Sequence, residues 1–517
     1  SWVIDNILNY KNTFGKHSID LTAVATRDRK KYEMIETTGS NFAANGNTTL
    51  GINGLHKATV QKVNMDNNQR SNIGYLGRAS YSYDDRYFFT GSYRRDGASV
   101  FGVNQKWGDF FAFGGAWRLS SEKFMSSISY LDDLKLKLSW GKNGNQGLDP
   151  YGTLSTINNG ASGGVRYEFG GSDIIYGLNQ KALGNANLGW ETTESWNTGF
   201  ESAWLGSRLF VDLDLYFSKT TDQIFTRDIP VMTGFKNMKS SMGQVNNRGV
   251  ELTIRSVNID TQDWYWTTNL TFWLNRNKLI HLYGEDLDGD GREDDDISNS
   301  RFIGKPLGAI YGYLQDGIVQ ETDVEYMKAN GATPGIPKYK DMDNDGVITS
   351  ADRIILGYST PNFKLNMSNT ITYKNWDLYF MLTGTFGGGG YYQKSNKGAY
   401  LTNGSGRFNT NGIYIPWWTP ENKSNEYPAA TFNDDGGRFL GLQNRAFVRL
   451  QDVTLSYTFR EPWVQKVNIQ NLKVFFTTKN LFTITKWQGG DPEVGVTVSE
   501  NTYPVLTSFS LGANISF

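Results

Sequence analysis

Twelve residues, DMDNDGVITSAD (341–352), carry the sharpest chemistry in the chain. Asp341, Asp343 and Asp345 take positions 1, 3 and 5 of a calcium loop, with Gly346 at the sharp turn in position 6. Val347 would offer its carbonyl at 7, Thr349 stands at 9 and Asp352 closes at 12. Hard oxygen donors at this spacing wrap a cation of calcium size. Asp rather than Glu at 12 shortens the closing ligand. The expectation is a structural Ca2+ that stiffens a loop; an acidic Asx-turn on an exposed loop is the plainer alternative. A second stretch, DLDGDGREDDD (286–296), repeats the opening with Asp286, Asp288, Asp290 and Gly291. Its position 12 is Ile297, so a ligand from Asp294–Asp296 would have to substitute.

Aromatic pairs form the second group. Trp417 and Trp418 in IPWWTPEN, and Tyr391 and Tyr392 in GGGGYYQ, lie between strand-like segments. Flat rings stack on sugar faces or hold peptide side chains, so these four are candidate cargo contacts. Packing between loops is the competing use. Catalytic patterns are weaker. GASGG (160–164) matches G-x-S-x-G, but Ser162 lacks the strand before and helix after that a nucleophile elbow needs. No P-loop and no H-E-x-x-H occurs, and His17, His56 and His281 are scattered. The chain reads as a non-enzyme.

The elements that would carry these residues are strands. The terminal run TSFSLGANISF alternates Phe509, Leu511, Ala513, Ile515 and Phe517 with small or polar residues, which gives a strand one apolar and one polar face. Leu209–Phe217 and Leu134–Trp140 repeat the pattern, as does the region from Trp264 to Leu274. Two more such strands meet at Lys374–Asn375, a two-residue hairpin signal. About 15 such segments of roughly 9–14 residues recur, near the 9–11 a tilted strand needs to cross a bilayer. Trp140, Trp264 and Trp266 read as lipid-facing or interfacial-girdle residues.

Short turns alternate with long polar loops, placed at about 40–69, 143–193, 221–245, 277–360 and 387–443. A transmembrane antiparallel β-barrel has this rhythm, with short periplasmic turns and long extracellular loops. Both acidic motifs fall in the 277–360 loop region. If Phe517 ends on the periplasmic side, counting backwards brings Ser1 in at the extracellular end. The expected reading is therefore the C-terminal part of a larger barrel, with its first strands elsewhere.

Composition agrees. Aromatics make up 14% and Gly numbers 57, which favours strands and turns. Mean hydropathy is −0.48, and no apolar run approaches the roughly 18 residues of a membrane helix. A barrel stays compatible, since only alternate residues face lipid. The net charge of −1 gives no field for nucleic acid. There is no Cys, which excludes disulfides and thiolate chemistry.

Several stretches are long and phrase-like: GRASYSYDDRYFFTGSYRRDGASVFG, NLGWETTESWNTGFE, GKPLGAIYGYLQDGIVQ, YKDMDNDGVITSADRIILGYSTPNFKLNMSNTITYKNWDLYF and VFFTTKNLFTITKWQGGDPEV. On these the chain resembles the C-terminal barrel region of SusC/RagA-like TonB-dependent outer-membrane transporters, nearly end to end. The resemblance implies a 22-stranded barrel in the outer membrane of a Gram-negative bacterium. It further implies an N-terminal plug, a SusD-like surface lipoprotein as lid, energy from TonB–ExbB–ExbD, and a dimer of transporter–lid pairs. Import of oligosaccharides is the leading expectation and import of oligopeptides the runner-up. A passive porin and a calcium-dependent surface adhesin stand as the competing classes.

Overall fold

The computed structural model describes residues 1–42, 48–159, 166–168, 174–235, 237–391, 416–432, 441–460, 469–489, 491–493 and 505–517. Among these, 15 strands form one antiparallel sheet in which each pairs with its neighbour in chain order. They are β1 (Trp2–Phe14), β2 (His17–Ser40), β3 (Val60–Tyr83), β4 (Tyr87–Ala98), β5 (Trp107–Arg118), β6 (Leu131–Asn145), β7 (Glu191–Trp204) and β8 (Leu209–Asp228). The rest are β9 (Asn237–Asp260), β10 (Trp264–His281), β11 (Phe363–Tyr373), β12 (Trp376–Phe386), β13 (Phe447–Phe459), β14 (Asn471–Thr485) and β15 (Ser508–Ser516). The order is an uninterrupted meander, with β1 and β15 at its two edges.

Directly paired residues in a sheet point to the same face, so the register assigns the two faces. One row runs Leu136, Phe200, Leu213, Leu252, Phe272, Leu365 from β6 to β11, and every member is apolar. The adjacent row, pointing the other way, runs Lys135, Glu201, Asp212, Thr253, Thr271, Asn366. Lipid selects the first row, and a wet interior permits the second. Lys137 ties the polar face together, 3.2 Å from Glu201, 2.9 Å from Asp212 and 3.2 Å from Asp214. Gly199 lies between Lys137 and Asp214 in the ladder. A Cβ there would sit 2.0 Å from the Leu213 carbonyl oxygen, so the position needs a glycine.

The short turns carry an aromatic belt. Trp264 meets Tyr373 at 4.4 Å between ring centroids, and Trp376 meets Tyr457 at 4.8 Å. Tyr83, Tyr87 and Trp117 stack in series near the turns at 84–86 and 119–130. Higher up the strands Phe113, Trp140, Trp196 and Phe217 share one outward row. Trp140 thus lies in an upper band and Trp264 in the lower one, as interfacial aromatics do. Trp266 sits on the same face, its indole donating to Asn369 at 3.0 Å.

Loop boundaries differ from the sequence expectation. The strands flanking the loop placed at 40–69 end at Ser40 and resume at Val60, and those flanking the one placed at 221–245 end at Asp228 and resume at Asn237. Strands β2, β3 and β9 run 24 residues and β8 runs 20. At about 3.3 Å per residue, 24 residues reach roughly 80 Å, far past a bilayer core of about 30 Å. Beyond lipid nothing demands an apolar face. The arm Lys30-Lys31-Tyr32-Glu33 pairs in register with Asn67–Arg70 and shows no alternation. The remaining long loops follow β6, β10 and β12, and another, unanticipated, joins β14 to β15. Residues 277–281 of the expected loop region belong to β10. The hairpin at Lys374–Asn375 forms as expected, Tyr373 facing Trp376, with Lys374 at φ +54.

Candidate functional site

The loop after β10 and residues 416–432 of the loop after β12 fold into one cap. Short strands Ala309–Tyr313 and Arg353–Tyr358 pair, as do Gln315–Ile318 and Pro337–Tyr339. A short helix, α1 (Val324–Asn330), lies between them. The second loop is bonded to this unit: Asn425 accepts from the Ile318 amide at 3.0 Å, and the Ala429 amide donates to Gly335 at 2.8 Å.

Both acidic motifs sit in the cap and share one backbone design. In each, the first Asp (Asp286 or Asp341) accepts the amides of positions 4 and 6 on its two oxygens. Asp288 and Asp343 each accept the amide two residues on, and so do Asp290 and Asp345. Positions 4 and 6 take positive φ in both: Gly289 and Gly291, Asn344 and Gly346. Carboxylate oxygens of Asp341, Asp343 and Asp345 converge within 4.8 Å of one another. In the first loop the converging set is Asp286, Asp288 and Asp294. Asp290 is outside that set, although it accepts the Arg292 amide at 2.8 Å just as Asp345 accepts that of Val347.

Asp352 is fully buried and accepts the amides of Met342 and Thr349, each at 2.7 Å. These amides of Thr349 and Met342 hold its carboxyl below the usual carboxylate range. Thr349 caps the turn Ser350–Asp352, its hydroxyl taking the Ala351 amide. Val347 donates its own amide to Asp345 at 2.8 Å. The Asp343 carboxyl is raised overall: the Asp345 amide lowers it, but burial and the Asp345 and Asp352 charges outweigh that. A cation would relieve this repulsion.

The aromatic candidates divide. Trp418 is buried, its indole donating to Gln320 at 2.9 Å and its ring against Gly335, where a Cβ would lie 2.7 Å away. It offers no open face for stacking; it holds the two loops together. Trp417 packs with Ile336 and Tyr427 around Phe432. Tyr391 is half-buried on the strand Gly389–Tyr391, and burial pushes its phenol up. Tyr392 and Ser162 lie outside the described residues.

A group not singled out in the sequence lines the polar face beneath the loops. A cavity of about 570 Å³ is walled by Asp28, Asn72, Arg94, Asp96, Phe110 and Trp190. Arg94 pairs with Asp96 at 2.6 Å, and Asn72 donates to Asp28 at 3.2 Å. Trp190 meets Phe110 edge-on at 5.4 Å and Phe101 at 4.7 Å. Phe101 belongs to a small core with Ala98, Val100, Leu148 and Leu188 that fixes the loops at this mouth. The alternation of YRRDGAS hinted at an inward Arg94 and Asp96, but their neighbours come from four strands. Another inward cation, Arg449, is 4% exposed and bonds Asp491 at 2.7 Å, anchoring the loop after β14 to the wall.

Comparison with known proteins fits this architecture. Residues 2–481 match the family model described as TonB dependent receptor-like, beta-barrel. The TonB-dependent receptor SusC of Bacteroides thetaiotaomicron is 30% identical over 478 residues, covering 89% of this chain and 45% of that protein. The TonB-dependent receptor P3 of Formosa agariphila is 27% identical over 532 residues, covering 99% of this chain and 52% of that protein. The chain therefore spans about half the length of the curated relatives it matches. A solved structure of the RagAB peptide transporter superposes with a TM-score of 0.80 at 23% identity, covering 100% of this chain and 55% of that one. The meander, its apolar outer row and these matches agree: the chain belongs to the TonB-dependent receptor β-barrel family of the Gram-negative outer membrane.

Proposed function

We propose that the protein carrying this chain imports nutrient oligomers across the outer membrane, energised through TonB–ExbB–ExbD and lidded by a SusD-like surface lipoprotein. Oligosaccharides are the leading cargo. The observation that carries the reading is the likeness to SusC over 89% of the chain. Further strands from the same transporter close the wall between the edges at β1 and β15, because unpaired backbone in hydrocarbon costs several kcal/mol per group, and a plug fills the closed barrel. A dimer of transporter–lid pairs belongs to the same proposal.

Oligopeptide import is the second reading, favoured by the mixed charges of Asp28, Arg94 and Asp96 at the inward cavity, which suit peptide termini and side chains. Within either reading, Asp341, Asp343 and Asp345, and separately Asp286, Asp288 and Asp294, hold structural Ca2+ that stiffens the cap. Their converging oxygens support this. The deciding experiment is co-purification from native outer membranes with identification of both the companion lipoprotein and the retained oligomer. A SusD-like companion with a bound glycan supports the first reading, and a bound peptide supports the second. A barrel without a companion that conducts passively in planar bilayers overturns both.

A further inference from the structure

The outward face holds a cluster of cations that neither lipid tails nor cargo explain. On β10 the outward residues from Trp266 through Thr268, Leu270 and Phe272 to Leu274 form an apolar or small band; the next two are Arg276 and Lys278. On β9 the outward Ile254, Leu252 and Val250 are followed by Arg248. Arg248 and Arg276 are direct cross-strand partners. Like charges so placed destabilise a sheet. Among the described residues no carboxylate pairs with Arg248, Arg276 or Lys278, although Arg276 is steadied by the carbonyls of Asn275 and Asn362.

Height places them at the membrane surface. From the Trp264 belt to Arg276 the strand climbs about 40 Å at roughly 3.3 Å per residue. At a tilt near 40° this is roughly 30 Å of height, just past an apolar band of about 25 Å. Phe217, level with Arg248 in the ladder, ends the upper aromatic row. The cations are also part of a built concavity of about 610 Å³, walled by Phe217, Arg248, Arg276, Lys278, Ile280 and Pro306. Pro306 comes from the loop that folds back on β10, where the Gly304 amide donates to the Leu279 carbonyl at 2.8 Å. Guanidinium groups beside an apolar wall fit an amphiphile with an anionic oxygen-rich head.

We propose that Arg248, Arg276 and Lys278 form a binding site for the phosphorylated headgroup of an outer-leaflet lipid, whose chains run down the apolar row beneath. The site is independent of cargo, so its failure would leave the transport reading standing. The test uses the full-length transporter in non-ionic detergent, probed by native mass spectrometry with purified lipid A, enzymatically dephosphorylated lipid A, and inorganic phosphate. Lipid A should bind, and the Arg248→Gln/Arg276→Gln pair should weaken it by roughly 25-fold, at about fivefold per cation. Arg248→Lys/Arg276→Lys should retain most of the binding. Dephosphorylated lipid should bind weakly, and inorganic phosphate should not compete at equal concentration. Equal binding by wild type and the Gln pair, or by both lipids, overturns the proposal; effective competition by inorganic phosphate assigns the site to a free anion and overturns the lipid. Should the Gln pair lose the folded, heat-modifiable form, a salt titration on wild type decides: salt-insensitive binding of lipid A contradicts the site.

Discussion

The row through Leu252 and the row through Thr253 run side by side across the same strands, one residue out of phase. They share backbone, hydrogen-bond ladder and twist, yet one is leucine and phenylalanine throughout while the other mixes Lys135, Glu201, Asp212 and threonines. Backbone propensity therefore did not choose their side chains. The solvent on each side did. The inward row can keep charge because partners and water satisfy it, and the outward row cannot until it reaches headgroup height at Arg248 and Arg276.

The sharpest way to break the comparison is to strip an inward charge of its partner. Arg449 and Asp491 are both nearly buried, so Asp491→Ala should cost about 3–5 kcal/mol, the penalty of an uncompensated buried charge. The neighbouring Glu493, 2.5 Å from Arg449 but half-exposed, would recover part of it. Urea unfolding from micelles would measure the loss. Next, Leu252→Arg should destabilise the bilayer-inserted barrel by about 2–4 kcal/mol, whereas Thr253→Arg should cost well under half of that. Equal costs would mean the two faces are not different solvents. Gly199→Val should be smaller, about 1–3 kcal/mol from overpacking against the Leu213 carbonyl.

The smallest effect belongs to the cap. Asp323 precedes α1 and is held below the usual carboxylate range by Lys338, 2.7 Å away, and by the Gln320 amide. A lowered folded-state pKa means this stabilisation is complete above the unfolded carboxylate value of about 3.9 and fades as pH falls through the folded value. The hydrogen-exchange protection of α1, relative to intrinsic rates, should fall below about pH 4 with no matching loss in β9 or β10. Asp323→Asn should abolish that pH step.

How much of this was written in the sequence follows the same logic. Alternation revealed the wall because lipid enforces it, and the number of strands and the rhythm of turns followed. The arms of β3, β8 and β9 read as loops because above the membrane no solvent difference marks their faces. The spacing of Asp341, Asp343 and Asp345 was legible, since a turn fixed by Gly346 is local. A substitute ligand from Asp294–Asp296 was legible too, and Asp294 converges with Asp286 and Asp288; that Asp290 leaves the set was not, because it depends on how the chain re-enters the cap. Trp418 looked like a platform and is a pin between loops; its partner Gln320 lies far away in sequence. The pairing of Arg248 with Arg276 depends on register between strands, which a single strand's pattern does not contain.

The chain has no cysteine, so a cysteine introduced at one position is the one label site within it. Spin labels placed one at a time from Val250 to Arg255 in the reconstituted full-length transporter should report oxygen accessibility at 250, 252 and 254. Water-soluble relaxant should dominate at 251, 253 and 255. A strict two-residue oscillation is the expected result. The same accessibility at all six positions, or a relaxant pattern that ignores parity, would contradict a wall with lipid on one side and an aqueous interior on the other.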